Sequence, residues 1–174
     1  MAGSLEFIKS ATGTSVSSLD ITDCFSANYD VYYVTISLDT DNLGYFEMML
    51  LDSGGSLITG TSYDIAVLEM KSNTTFGEYR STNQNEGVGW RNLGVYIDDG
   101  DGYGFSAYIY NPFDSSSYTF TTAQSASSVG SNMFGGKAIG VHKQTTSASG
   151  FRIKDSSVST FNYINCSVYG LASN

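Results

Sequence analysis

The sequence is poor in the residues that build helices and in those that carry chemistry. Its 174 residues include one proline, one histidine, one tryptophan and two cysteines, and only 14% are charged. Low lysine, glutamate and alanine argue against a helical bundle. A Ser-His-Asp triad would have to be built around His142, yet no Gly-x-Ser-x-Gly elbow is present. We therefore interpret His142 as a strand histidine that hydrogen-bonds across a sheet.

Long apolar runs and positive charge are also missing. No segment approaches the ~20 apolar residues of a membrane span, and no basic segment followed by an apolar run marks a signal peptide. Seventeen acidic residues against eight basic ones give a net charge of −9, which repels polyphosphates. We expect a soluble protein, made in a cytoplasm, that binds neither nucleic acid nor membranes.

Hydrophobic residues and hydroxyl groups are abundant. Hydrophobic residues make up 41% of the chain, with 13 tyrosines and 10 phenylalanines, which is more than a disordered chain carries. The length suits one domain that buries roughly 70% of its unfolded surface. Threonine, tyrosine and phenylalanine favour strands, and the sequence therefore predicts a single β domain over residues 1–174.

Alternation with a period of two marks the strands. In residues 31–39 the side chains of Tyr32, Val34, Ile36 and Leu38 share one face. Residues 45–51 alternate in the same way, and the turn-rich stretch between the two segments predicts a hairpin. Further strands are predicted at residues 5–9, 16–21, 63–69, 75–80, 103–110, 118–123, 137–144, 150–154 and 161–169.

The spacing of these strands indicates a fold class. Many short strands without a helical period predict an all-β chain, folded as a single antiparallel β-sandwich of jelly-roll type. The glycine-rich residues 129–136 are predicted to form a loop. Two serine clusters, at 115–117 and 125–128, are predicted to be loop tips or polar faces.

One acidic stretch resembles a cation site. Asp98, Asp99 and Asp101 lie on a glycine-rich segment, and carboxylate oxygens are the ligands that Ca²⁺ prefers. The stretch lacks the later glutamate of an EF-hand loop, and Asp-Gly is also a strong hairpin-turn signal. We favour a solvated turn, with no cofactor, and keep Ca²⁺ binding as the alternative.

Aromatic side chains are the candidate binding residues. Tyr33, Tyr108, Tyr110 and Tyr118 occupy positions that a sheet could present to a partner, and tyrosine supplies contact area at little entropic cost. A solvent-facing sheet would tolerate the same tyrosines. Trp90 could stack on a sugar, although a lone tryptophan more often packs in a core or at its rim.

The two cysteines stand near opposite ends of the chain. Cys24 and Cys166 belong to no Cys-x-x-Cys pair. They could form a disulfide if the first and last strands are neighbours, but isolated cysteines more often pack as small buried hydrophobes.

Segments along most of the chain resemble a family of bacteriophage virion proteins found in marine phages, including those of cyanobacteria. The resemblance lies in residues 27–38 with a Y-D-x-Y strand, 108–114 with an I-Y-N-P edge, 140–153 with a Ser/Thr-rich G-F strand, and the closing 166–171 with Y-G-L. It implies a structural or receptor-contacting part of a virion. No catalytic residues come with it.

These observations together predict a binding protein and not an enzyme. The expected function is a capsid decoration or knob-like protein that docks on the major capsid protein and associates with further copies in the particle. The alternative is a tail-fibre or tail-adaptor component that contacts host glycan. A glycan hydrolase or lyase would need two close carboxylates flanking its substrate, and the sequence alone does not place any two acids together in this way.

Overall fold

The computed structural model describes residues 4–40, 46–85, 102–155 and 160–172. Within these ranges every regular element is a strand, and no helix there has the length and apolar character needed to cross a membrane. The strands are β1 Leu5–Val16, β2 Ser18–Ile21, β3 Val31–Thr40, β4 Phe46–Leu51, β5 Tyr63–Lys71, β6 Gly77–Gln84, β7 Tyr103–Tyr110, β8 Thr119–Val129, β9 Asn132–His142, β10 Gly150–Asp155 and β11 Phe161–Leu171.

Eight of the strands form one large antiparallel sheet in the order β1-β11-β3-β7-β8-β9-β5-β6. The first and last strands of the chain are therefore neighbours, and β1 pairs with β11 over most of its length. Strands β7, β8 and β9 follow one another as a meander, with Tyr110 opposite Phe120 and Val129 opposite Asn132. This continuous register aligns side chains from distant parts of the sequence.

The remaining strands, β2, β10 and β4, form a second sheet with β10 in the centre. Apolar side chains from both sheets join one core, as a sandwich requires. Tyr32 and Leu38 of β3 meet Met48 of β4 and Phe151 of β10 in this cluster, and all four are fully buried. The chain is thus an all-β, antiparallel, jelly-roll-like sandwich, as the sequence predicted.

One strand-pairing prediction is wrong. Residues 31–39 and 46–51 do lie in strands, but β3 pairs with β11 and β7 in the large sheet, whereas β4 pairs with β10 in the small sheet. They do not form a hairpin, because the chain changes sheets between them. Alternation defines the buried face of a strand and leaves its neighbour undefined.

The glycine-rich segment 129–136 is also not a loop. Most of it belongs to β9, and the turn from β8 is made by two residues around Gly130, whose φ is +58°. Gly135 lies so close to β8 that an added Cβ would be 2.8 Å from the Ser125 carbonyl oxygen. The glycines therefore permit close strand packing, and the serines at 125–128 lie in β8.

Candidate functional site

A single register row crosses all eight strands of the large sheet on its outer face, the face turned away from the core. We call it the central row. Successive cross-strand partners along it are Phe7, Tyr169, Tyr33, Tyr108, Thr122, Ile139, Ala66 and Arg80. Seven strand spacings give it a length of ~34 Å. Aromatic rings occupy one half of the row and a cation ends the other.

The aromatic half is a chain of ring contacts. Phe7 meets Tyr169 edge-on with ring centroids 5.7 Å apart, and Tyr169 lies 6.4 Å from Tyr33. Tyr33 lies 5.0 Å from Tyr108, which stacks with Tyr110 at 6.4 Å. These separations are typical of favourable aromatic pairs. Because Phe7 is 62% and Tyr108 41% exposed, the row presents aromatic surface to solvent.

Two grooves lie along the central row and meet at Thr122 and Ile139. One, of about 380 Å³, is lined by Tyr33 and Tyr108 and bordered by Lys137. The other, of about 490 Å³, runs towards Arg80, with the half-exposed ring of Phe120 on its wall. Both volumes are in the range of small-molecule sites.

The charged side chains beside the grooves differ in whether they are paired. Asp64 is held by Lys143, with the Asp64 oxygen 2.9 Å from the Lys143 Nζ, and it also accepts a hydrogen bond from the Asn83 amide at 2.7 Å. Burial raises the pKa of Asp64, but these two contacts outweigh it and keep the pKa below its ordinary value. Among the described residues, Arg80 and Lys137 make no ion pair.

The structure brings together three of the tyrosines that the sequence singled out. Tyr33, Tyr108 and Tyr110 share the outer face, and Tyr110 lies 3.3 Å from the hydroxyl of Thr122 in the central row. Tyr118 is 44% exposed but lines neither groove. Trp90 lies outside the described residues.

The acidic stretch of Asp98, Asp99 and Asp101 also lies outside the described residues, so its Ca²⁺ site stays a prediction. Within the described ranges no group of three or more His, Cys, Asp or Glu side chains could hold a metal ion.

His142 differs from its expected role. It lies in β9 and is fully buried, but neither ring nitrogen has a hydrogen-bond partner in the described part of the chain. Its ring packs against Tyr63 instead, and burial lowers its pKa. His142 faces the core, on the side of the sheet opposite the grooves.

The cysteines are free and buried, which agrees with the interpretation that they pack as small hydrophobes. Burial raises the pKa of Cys166 to about 12 and that of Cys24 further. The Cys24 thiol donates to the Ile21 carbonyl oxygen at 3.5 Å.

Sequence reasoning missed Arg80, Lys137 and Ile139. One signal was available for the last two: Lys137, Ile139 and Val141 alternate with Ala138 and His142, so they share a face. Ile139 is 62% exposed. The many glycines around residues 137–141 made this alternation hard to recognise. The position of Arg80 depends on pairing between strands that are distant in the sequence.

Comparison with known proteins gives distant structural matches. No family model and no curated protein matches the sequence. Among solved structures, a marine alginate lyase from Aplysia kurodai matches 87% of this chain and 72% of its own, with 10% identity and a TM-score of 0.38. A galectin of Caenorhabditis elegans matches 98% of this chain and all of its own, with 9% identity and a TM-score of 0.36.

A tail fibre protein of an E. coli phage also matches, over 99% of this chain but 22% of its own, with 10% identity and a TM-score of 0.28. At these values the likeness concerns the fold alone. The lyase match nevertheless contradicts the prediction that the chain is not an enzyme. The sequence interpretation had excluded enzymes, and lyases are among the structures that match.

Proposed function

We propose that this chain binds a polysaccharide on the outer face of its large sheet, as a part of a bacteriophage particle that contacts the host surface. The observation that carries the proposal is the central row, in which aromatic rings in mutual contact, some of them exposed, continue into two joined grooves. A row ~34 Å long suits an extended polymer better than a compact ligand.

The chemistry of the row fits a sugar chain. Sugar rings have apolar C–H faces and hydroxyl rims, and tyrosine rings present an apolar face with a polar tip. Tyr33 and Tyr108 supply such faces, while Thr122 and Gln124 supply hydrogen-bonding groups beside them. The exposed apolar surface of Ile139 and Phe120 is the kind of patch that marks a binding site.

The phage part of the proposal is supported by the sequence resemblance alone. Two of its segments, residues 27–38 and 108–114, include Tyr33 and Tyr108 of the central row. A polysaccharide-binding face on a particle would attach it to a host cell envelope.

Binding to immobilised polysaccharides tests the proposal. The purified chain is applied to a panel of neutral and acidic polymers, and Kd is measured for each that binds. We expect Tyr108→Ala to weaken binding about tenfold, because an aromatic contact and its buried area contribute roughly 1–2 kcal/mol.

Tyr118→Ala is the matched control, because Tyr118 is exposed to a similar degree and lines neither groove. Its affinity should equal that of the unaltered chain. Absence of binding to every polymer, or equal loss in both variants, would contradict the proposal.

A capsid-surface role is the second candidate, and one observation favours it. Phe76 and Met133, which are 67% and 68% exposed, flank a third groove of about 370 Å³ near the turns of two hairpins. Apolar side chains at the end of a domain suit contact with another protein. Docking there on the major capsid protein would leave the outer face free.

Labelling of virions separates the two candidates. An antibody against the chain should mark the tail in micrographs if it contacts the host, and the head if it decorates the capsid. Head labelling combined with unchanged adsorption after deletion of the gene would favour decoration.

A further inference from the structure

We infer that the polysaccharide bound on the outer face is anionic, and that Arg80 and Lys137 recognise negative groups repeated along it. This inference rests on the proposed function and adds the charge class of the ligand. Each joined groove has one of these cations in its lining, Arg80 in the larger and Lys137 in the smaller.

The two cations are available to a ligand. Both are exposed, and among the described residues neither forms an ion pair. Four other cations behave differently: Lys71, Lys143, Arg152 and Lys154 are each paired with a carboxylate. Although the chain has a net charge of −9, the two joined grooves are thus lined by two cations that form no ion pair with a described residue.

The acids of the same region do not cancel this charge. Asp64 also lines the larger groove, but Lys143 neutralises it. Among the described residues beside the grooves, Glu78 is a further acid, two residues from Arg80 on β6 and opposite Leu68, and it lines a smaller groove together with Lys137. Among the described residues beside the two grooves, the Asp64–Lys143 pair is neutral, and Arg80, Lys137 and Glu78 together leave a net charge of +1.

The spacing of the cations indicates repeated charges. Arg80 and Lys137 lie two strands and two residues apart in the register, which separates their backbone positions by ~12 Å. With both side chains extended from the sheet, a single carboxylate or phosphate does not reach both charges. A polymer with an acidic group on successive units does, and the aromatic half of the row would hold its sugar rings.

The two side chains have different roles in this scheme. The guanidinium of Arg80 is a planar fork that can bind a carboxylate or sulfate with two hydrogen bonds, whereas Lys137 acts as a point charge. Substituting glutamine keeps a flexible polar side chain and removes the charge. Arg80→Gln and Lys137→Gln therefore test charge rather than packing.

The experiment compares acidic polymers with their own neutral forms. Polygalacturonate, polymannuronate and hyaluronan are each tested beside a carboxyl-reduced preparation of the same polymer, and dextran sulfate beside dextran. Kd is measured at several salt concentrations for the unaltered chain, Arg80→Gln, Lys137→Gln and Tyr108→Ala. Arg152→Gln is the control, because it changes the net charge equally but lies in the small sheet.

We expect binding to at least one acidic polymer that reduction or desulfation abolishes, and about fivefold weaker binding for each groove variant, as for the loss of one exposed charge contact. Affinity should fall with added salt, and less steeply in the two groove variants. Arg152→Gln should bind like the unaltered chain.

Three results would overturn the inference, and they differ in what they leave standing. Equal binding to acidic and neutral forms, with Tyr108→Ala still weak, would remove the charge class and keep the polysaccharide site. Absence of binding to all polymers would remove both. Equal effects of Arg152→Gln and the groove variants would show a general charge effect and overturn recognition by Arg80 and Lys137.

Discussion

Tyr63 and His142 pack ring against ring in the core, with centroids 4.5 Å apart and planes tilted by 32°. Both are fully buried on paired strands, where they are direct cross-strand partners. The Tyr63 hydroxyl donates to the Ile58 carbonyl oxygen at 2.6 Å. His142 lacks such a partner among the described residues, so a proton on its ring would be a buried charge without compensation.

This pair predicts a loss of stability in mild acid. Burial lowers the pKa of His142 below its ordinary 6.5 in the folded chain, so the unfolded state takes up the proton first. Protonation of His142 therefore leaves the free energy of unfolding unchanged well above pH 6.5 and lowers it as the pH drops below 6.5. The slope reaches at most about 1.4 kcal/mol per pH unit until the folded pKa is passed.

Urea unfolding at pH 8, 6 and 5 measures this effect. His142→Phe keeps a flat ring beside Tyr63 and cannot be protonated, so its unfolding free energy should change less over this range. An identical pH dependence in both proteins would assign the loss to other groups.

A close approach between β10 and the end of β2, which are neighbours in the small sheet, predicts the cost of a methyl group at Gly150. A Cβ there would overlap the Ile21 carbonyl oxygen and lie 3.0 Å from Thr22 Cα, and both atoms belong to the backbone. Gly150→Ala should therefore lower the free energy of unfolding by about 2–3 kcal/mol, as other overpacked sites do.

Gly104→Ala is the control for this substitution. Gly104 lies in β7, and a Cβ there would meet nothing within 4 Å. Its change in unfolding free energy should stay within about 0.5 kcal/mol. A loss for Gly150→Ala as small as that for Gly104→Ala would show that backbone movement relieves the overlap at Gly150.

The buried thiols predict slow chemistry at Cys24 and Cys166. Burial raises both pKa values, to about 12 for Cys166 and further for Cys24, and the thiolate is the reactive form. A thiol-specific disulfide reagent at pH 8 should release no colour from the native chain. In guanidinium chloride it should report both cysteines, and rapid reaction of the native chain would contradict their burial.

Much of the sandwich could be predicted because the alternation of apolar and polar residues along a strand indicates directly which side chains are buried. Tyr32, Val34, Ile36 and Leu38 were assigned to one face of a strand, and all four are buried in the core. The segment 103–110 follows the same rule, with Phe105 and Ile109 buried. Each strand's inner face depends on its own residues, so local sequence suffices.

Which strands pair with one another could not be predicted in the same way. The segments 31–39 and 45–51 look like a hairpin because they are close in the chain, but their apolar faces belong to different sheets. Likewise the glycines of β9 resemble a loop until their closeness to β8 is known. These outcomes depend on long-range packing, which the local pattern does not encode.

The same distinction between local pattern and long-range packing applies to the candidate site. The sequence by itself determined an all-β chain rich in tyrosine, with Tyr33 and Tyr108 on positions that alternate with core residues. Only the tertiary structure decided that their rings lie 5.0 Å apart and that Arg80 ends the same row. The physical reason is that a register row joins residues through hydrogen-bonded strands, and strand order is set by how both sheets bury their apolar faces together.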